Sequence, residues 1–238
     1  MFTRVLKHEF SAMFRDKMYL FLMSYPIIMA IVAYFLMPYL NEQGAGIATH
    51  IVTLFFILMN GFMFGAITGF TLLDDQDDNV LLSLRITPIN VNHYILVKLA
   101  ISYLLGILST LLIIITSGFI EIVDPFNLVF ILLLAPLHGP IVALLVNAFS
   151  NNKVEGFVIM KASGIILLAP VAVLFLTDWK ELFLTILPGF WPARLIAMEL
   201  LPMEYFFSET WIYFILGLII NMIVIYLLYL KYRKRIHI

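Results

Sequence analysis

Acidic side chains crowd one short polar stretch of an otherwise apolar sequence. Four carboxylates lie within residues 74–78, and Arg85 and the dipeptide Thr87-Pro88 follow them. Clustered carboxylates can hold a metal, but no histidine or aromatic residue accompanies these, so a solvated loop or a helix cap is favoured. Acids stabilise a helix N-terminus, arginine stabilises a C-terminus, and proline disfavours helix at the residue before it. The pattern therefore predicts a helix of about two to three turns.

Two leucines of this predicted helix lie outside every membrane-length apolar stretch. Within the loop 73–92, Leu81 and Leu84 stand at helical spacing, so we expect them to share one exposed row. An apolar row in water requires a partner surface. The loop is therefore predicted to bind another protein.

One titratable side chain stands in the middle of an apolar stretch: His138, between Pro136 and Pro140. Each proline leaves an upstream carbonyl without its helical donor, and a neutral imidazole can donate to such a carbonyl. This structural role is favoured over a proton relay or a metal ligand, because no second histidine or carboxylate stands at ligand spacing. Lys98 and Lys161 lie near the ends of apolar stretches and are predicted to reach interfacial water as anchors.

Signatures of catalysis and of ATP binding are absent from the sequence. There is no Gly-x-Ser-x-Gly, no His-Glu-x-x-His and no phosphate-binding Gly-x-x-x-x-Gly-Lys-[Ser/Thr]. Cysteine is absent too, which excludes disulfides, thiolate metal sites and a cysteine nucleophile. We therefore expect no catalytic residue, metal or cofactor on this chain, and any ATP that drives it must be hydrolysed elsewhere.

The composition is that of a membrane protein. Of the 238 residues, 63% are hydrophobic and 12% are charged, whereas soluble domains have about 45–50% apolar and about 25% charged residues. The 14 basic and 15 acidic side chains nearly cancel, so no basic field attracts nucleic acid. Six apolar stretches have the roughly 20 residues that a helix needs to cross a bilayer. These stretches are 18–40, 50–72, 94–119, 126–149, 157–177 and 210–230. An all-α membrane protein of one domain, 1–238, is predicted.

Basic residues predict the orientation of these spans, since cytoplasmic loops are enriched in Lys and Arg. One basic cluster precedes the first span and another follows the last, and with six spans both lie on one side. Lys180 and Arg194 remain for the other side. Both termini are therefore predicted to be cytoplasmic. Residues 1–17 carry apolar side chains at helical spacing and predict an interfacial helix, the alternative being a solvated basic tail.

The segment 178–209 contains apolar pieces that are too short to cross a bilayer. We expect short helices that re-enter the outer leaflet, with Trp179 and Trp191 at headgroup level. A simple external loop is the alternative.

Three glycines share one face of the second predicted span. Gly61, Gly65 and Gly69 form two consecutive small-x-x-x-small steps, which predict the close approach of another helix. That helix belongs either to this chain or to a second subunit.

The acidic loop resembles the corresponding loop of ABC-2 type transporter permeases, which runs through acidic residues, a small polar turn, Leu-x-x-Leu and a Thr-Pro stop. The residues expected to act in coupling are Asp77, Asp78, Leu81, Leu84, Arg85, Thr87 and Pro88. Where that family commonly has Gly and then Thr, this chain has Asn79 and Val80. Six spans, an N-terminal interfacial helix and a proline-rich external segment also look like that family.

The resemblance implies a permease subunit of an exporter in a bacterial cytoplasmic membrane. Its loop would be a coupling helix that docks on a separate ABC ATPase, present in two copies, which binds the ATP and Mg. A second permease chain would complete a homodimer or heterodimer, and the cargo would be a hydrophobic or amphipathic peptide, toxin or drug. An ATP-independent secondary transporter, an insertion factor and a membrane-embedded enzyme are the alternatives. A secondary transporter should show discontinuous helices and a buried carboxylate or an inverted repeat.

Overall fold

The computed structural model describes residues 17–84, 86, 90–201 and 203–236. These ranges are helical and contain no strand, which confirms the predicted all-α class. The α-helices are α1 (Lys17–Glu42), α2 (Gly46–Asp77), α3 (Val80–Leu84), α4 (Val91–Thr116), α5 (Pro125–Leu134), α6 (His138–Phe149), α7 (Lys153–Leu168), α8 (Phe190–Leu200) and α9 (Thr210–Arg235). Short 3₁₀ helices cover Phe119–Glu121, Ala135–Leu137, Ala169–Leu174 and Trp179–Leu184. The predicted interfacial helix lies almost entirely outside the described residues.

Side-chain caps fix where two of the long helices begin. At α4, Asn90 Oδ1 accepts a hydrogen bond from the Asn92 amide at 2.9 Å. At α5, the Asp124 carboxylate accepts from the Phe126 amide at 2.9 Å, and Pro125 occupies the first turn. Each cap satisfies an amide that has no partner within its own helix.

Five helical segments of the described chain are long and apolar enough to cross a membrane. They are Tyr19–Glu42, Gly46–Asp77, Val91–Thr116, Pro125–Phe149 and Thr210–Arg235. The predicted span 157–177 is not among them, because α7 ends at Leu168 after 16 residues and continues only as the 3₁₀ helix Ala169–Leu174. Pro170 lacks an amide donor and so disfavours continuation of the α-helix.

The centre of the bundle is formed by α2 and the α5–α6 pair. In each, 72% of the most apolar stretch is buried, against 22% in α1 and 17% in α9. We refer to the end of the bundle that carries α3 as the α3 end, and to the end that carries α8 as the α8 end. Within the described part of the chain, the outer helices α1 and α9 therefore leave most of their apolar surface uncovered.

The three glycines of α2 lie against α6 and the 3₁₀ helix before it. A Cβ atom on Gly61 would lie 3.1 Å from Cβ of His138, and one on Gly65 would lie 2.9 Å from Cβ of Val142. On Gly69 it would lie 3.2 Å from Cβ of Val146. Since side chains at these positions would push the backbones apart, glycine permits the contact. The helix that approaches them belongs to this chain.

The segment 178–209 folds as the 3₁₀ helix Trp179–Leu184 followed by α8. At 11 residues, α8 is too short to cross a bilayer. Trp179 is exposed, but Trp191 is buried and donates from Nε1 to the Thr185 carbonyl at 3.0 Å. The prediction that both tryptophans lie at headgroup level is therefore wrong for Trp191, whose ring packs inside the bundle.

Candidate functional site

The acidic stretch was predicted to begin a new helix. In the structure it ends α2 instead. This helix runs to Asp77, so Asp74 and Asp75 occupy its last turns. The separate helix α3 has five residues instead of the predicted two to three turns. The prediction failed because partners on other helices compensate the acids at the α2 C-terminus, where the helix dipole alone disfavours them.

A tight turn at Asn79 separates α2 from α3. Asn79 has φ +58°, in the left-handed region where glycine and asparagine are tolerated best. The Asp78 amide donates to the Asp74 carbonyl at 2.8 Å, and the Ser83 amide donates to the Asn79 carbonyl at 3.0 Å. Asparagine in place of the glycine common in ABC-2 permeases therefore preserves the backbone geometry.

Helix α3 buries one leucine and exposes another. Leu81 is only 5% exposed and packs against Leu72 and Val91, so the prediction that it lies on an exposed row is wrong. Leu84 is half-buried against the same cluster. The exposed apolar side chains are Leu82 (53%) and, just beyond the helix, Ile86 (90%). The helix turns Leu81 inward because its two flanking helices bring apolar side chains together there.

The remaining predicted coupling residues fall into two groups. Asp77 and Asp78 are exposed at the end of α2. Arg85, Thr87 and Pro88 lie outside the described residues.

A buried ion pair joins the ends of the two long helices that flank α3. Lys98 Nζ lies 2.5 Å from Asp75 Oδ2, and the Tyr94 hydroxyl donates to the same oxygen at 3.0 Å. Lys98 is buried, so the prediction that it reaches interfacial water is wrong. Lys161 is exposed on α7.

Two more polar contacts lie beside this ion pair at the α3 end. We refer to the polar contacts of residues 74–76 at this end as the polar layer. Lys153 Nζ lies 2.6 Å from Asp74 Oδ1, and the Tyr19 hydroxyl donates to the other Asp74 oxygen. These contacts tie α1 and α7 to the end of α2. Both ion pairs remove negative charge from a helix C-terminus, where it is unfavourable.

An amide network around Gln76 completes the polar layer. Gln76 donates to Asn147 Oδ1 at 2.8 Å and to the Tyr232 hydroxyl at 3.2 Å. Asn147 in turn donates to the Gly69 carbonyl at 2.9 Å. Arg235 donates to the Asn147 carbonyl and, at 3.0 Å, to Asn151 Oδ1. Residues 74–76 therefore connect α2 to five other helices directly beside α3.

The α3 end thus combines a short helix with exposed apolar side chains and a network of polar contacts beside it. In the described part of the chain, no group of three His, Asp or Glu side chains is arranged to hold a metal. The Rv2686c-like family model, described as "Fluoroquinolones export permease protein Rv2686c-like", matches residues 9–229. The chain belongs to this family. The Rv2686c-like family is one of export permeases, so the prediction of a transporter permease is confirmed, and the chain is a membrane-embedded transport protein.

Two curated relatives in the Rv2686c-like family come from Mycobacterium tuberculosis. The fluoroquinolones export permease proteins MT2760 (strain CDC 1551 / Oshkosh) and Rv2686c (strain ATCC 25618 / H37Rv) are each 24% identical over 243 residues. The alignment covers 96% of this chain and 92% of each relative. No solved structure matches the chain.

This member of the Rv2686c-like family has a second buried ion pair, at the α8 end. Arg194 of α8 lies 2.5 Å from Glu181 Oε2, and the Tyr213 hydroxyl donates to Glu181 Oε1 at 2.5 Å. Arg194 also donates to the Val173 carbonyl at 3.1 Å. The pKa of Glu181 is raised, because the effect of burial outweighs the Tyr213 hydrogen bond and the Arg194 charge, which both lower it. The basic-residue pattern assigned Arg194 to the side of the membrane opposite the termini, and the structure places it at the α8 end, buried in its pair with Glu181.

His138 lies at the start of α6, buried beside Gly61. Its side chain lies in the α2–α6 contact, and neither ring nitrogen has a hydrogen-bond partner among the described residues, so the predicted donation to a carbonyl is not confirmed. The buried ion pairs escaped the sequence analysis because their partners are 23 residues apart in one case and lie on different elements in both. One available signal was a lysine inside an apolar stretch that follows an acid-rich loop.

Proposed function

We propose that the chain is the membrane-spanning subunit of an ATP-driven exporter whose ATP is hydrolysed by a separate ABC ATPase. The observation that carries the proposal is α3, a short helix between two spans that exposes Leu82 and Ile86 beside a buried polar layer. Exposed apolar side chains next to a rigid helix are typical of a docking surface. ATP and Mg would be bound by the ATPase.

The α3 end is the cytoplasmic side in this proposal. Apart from Lys98 in its buried pair, its described basic residues are Lys17, Lys153, Lys231, Arg233, Lys234 and Arg235, against the exposed Lys180 at the α8 end. This distribution supports cytoplasmic termini under the positive-inside rule. In the six-span layout, α7 and its 3₁₀ extension provide the fifth crossing, and 178–209 re-enters from the outer side.

The ATPase is proposed to contact Leu82 and Ile86, flanked by Asp77 and Asp78. Leu84, Arg85, Thr87 and Pro88 would complete the docking surface, whereas Leu81 anchors α3 to the bundle. Each covered apolar side chain contributes about 1.5–3 kcal/mol, less the cost of association. Docking there would place the ATPase against the loop that joins α2 to α4.

A second permease chain is proposed to cover the apolar face of α9, so that two permeases and two ATPases form one transporter. The curated relatives are named for fluoroquinolone export. By extension, we propose that this chain exports a hydrophobic or amphipathic compound, whether drug, peptide or toxin.

The docking proposal is tested with Leu82→Asp and Ile86→Asp. Each change should weaken co-purification of the ATPase and abolish transport, while membrane insertion persists because both residues lie outside the spans. The matched control is Val154→Asp on α7, since Val154 is 76% exposed at the same end but outside the loop. Wild-type transport in the Leu82→Asp/Ile86→Asp double variant, or no ATPase co-purifying with the unmodified protein, would disprove the assignment.

One observation favours the runner-up, an ATP-independent secondary transporter. Asp75 is a buried carboxylate, which such transporters use for ion coupling. However, Asp75 is paired with Lys98 and lies in the last turns of α2 instead of at its middle. Export that continues after ATP depletion and stops when the proton gradient collapses would favour this alternative.

A further inference from the structure

A cavity of about 550 Å³ lies between α1 and α4 at the α8 end. Its lining includes Tyr34, Phe35 and Asn41 from α1, together with Thr116 and Glu121 from the end of α4 and the 3₁₀ helix that follows. The volume falls within the range of about 300–1,000 Å³ that is typical of sites for drug-sized molecules. It is therefore large enough to hold an organic molecule instead of a few waters.

Two aromatic side chains form one wall of this cavity. Tyr34 is 62% exposed and Phe35 is 70% exposed. Their ring centroids are 5.2 Å apart and the ring planes meet at 85°. The two rings contact each other edge to face and add aromatic surface to the lining, and aromatic surface attracts organic cations.

Another part of the lining carries a negative charge. Gly118 has φ +74°, a backbone conformation that glycine adopts without strain, and it turns the chain after α4 so that Glu121 lines the cavity. Among the described residues, Glu121 is the one Asp, Glu, Lys or Arg in the lining. A cation in the cavity would meet a carboxylate and two aromatic rings at once.

The charge around the cavity has the same sign. Exposed carboxylates at the α8 end are Glu42, Glu121, Asp124, Asp178, Glu204 and Glu209. Among the described Lys and Arg residues at this end, Lys180 is exposed, while Arg194 is buried in its pair with Glu181. A field of this sign attracts cations and repels anions.

We propose that this cavity binds amphipathic aromatic cations, and that it is a substrate site of the exporter on whose proposed function this inference rests. The rings of Tyr34 and Phe35 contact the aromatic part of the cargo and its cationic group. Glu121 supplies the counter-charge, and Asn41 and Thr116 offer polar contacts. A neutral compound of the same shape gains only the ring contacts, and an anion is repelled.

The proposal is tested by measuring how tetraphenylphosphonium binds to the full-length protein in phosphatidylcholine nanodiscs. Binding is measured by equilibrium dialysis, and the amount bound by protein-free nanodiscs is subtracted. Glu121→Gln should weaken binding about fivefold, the upper end of what a solvent-accessible charge pair contributes. Phe35→Leu keeps the apolar bulk but removes the ring, so it should weaken binding about two- to threefold. Glu209→Gln, which neutralises an exposed carboxylate outside the lining, is the matched control and should change nothing.

Tetraphenylborate has the same shape as the phosphonium and the opposite charge. It should bind the unmodified protein at least about fivefold more weakly than the phosphonium and gain affinity in Glu121→Gln. Unchanged phosphonium binding in Glu121→Gln, or an equal loss in Glu209→Gln, overturns the proposal. These measurements need no ATPase. If the cation binds as expected but is not exported when ATP is supplied, the export function fails while the site stands.

Discussion

Lys98 Nζ on α4 lies 2.5 Å from Asp75 Oδ2 on α2, and both side chains are buried beside the helix that we propose contacts the ATPase. A buried charge is costly unless it is paired, so this contact constrains the relative position of the two helices more strongly than apolar packing alone. In the proposed exporter, a movement of α3 would therefore be passed to both helices together.

Breaking the buried pair should therefore destabilise the protein strongly. Lys98→Ala leaves the Asp75 carboxylate buried without its partner, and we expect a loss of about 3–5 kcal/mol in the free energy of unfolding. The double variant Asp75→Leu/Lys98→Leu should recover most of it. Lys153→Ala, which breaks the more exposed pair with Asp74, should cost less than about 1 kcal/mol. Thermal unfolding in detergent measures all three, and equal losses for Lys98→Ala and Lys153→Ala would contradict the prediction.

The contact between α2 and α6 should not tolerate a methyl group. In Gly65→Ala the new Cβ would lie 2.9 Å from Cβ of Val142, so the helices must separate. We expect a loss of about 1–3 kcal/mol from overpacking. Gly164→Ala on α7 is the control, because a Cβ there has no neighbour within 4 Å. Melting temperatures should fall for Gly65→Ala and stay unchanged or rise for Gly164→Ala, and the reverse order would disprove the contact.

The turn before α3 should accept glycine and reject a β-branched residue. Because Asn79 has φ +58°, Asn79→Gly keeps the conformation, whereas Asn79→Val strains it by about 1–2 kcal/mol. Transport at equal protein level in the membrane should remain in the first variant and fall in the second. Full transport in Asn79→Val would show that the orientation of α3 does not depend on this turn.

The neighbouring leucines Leu81 and Leu82 should respond differently to truncation. Leu81→Ala removes a buried side chain and should cost about 2–3 kcal/mol of stability. Leu82→Ala should cost less than about 0.5 kcal/mol, since the side chain is largely exposed. If the protein is instead destabilised equally by both changes, α3 does not have the orientation described.

The apolar runs were enough to place the long helices, because hydrophobicity over about 20 residues is a local property of the sequence. The ends of the helices depend on distant partners. Nothing local to Asp75 indicates that Lys98 will neutralise it, so a sequence argument from the helix dipole assigned the acids to the wrong helix. The burial of Arg194 could not be predicted for the same reason, since it depends on the pairing with Glu181.

The candidate site was found only in outline. The pattern Leu81-x-x-Leu84 predicted that α3 contacts another protein, but it did not indicate which leucine faces the bundle. That choice is made by Leu72 and Val91, which pack against Leu81 from the two flanking helices.

The length of α2 has a mechanical consequence. With 32 residues, α2 is about 48 Å long, and a bilayer core is about 30 Å thick. A tilt of α2 by about 10° about its Gly46 end would displace Asp77 by about 8 Å, more than one helical turn. A shift of several ångströms applied at α3 by the proposed ATPase would therefore become a small rotation at the glycine-lined contacts midway along α2. Such a rotation changes which side chains meet there without requiring any helix to unwind.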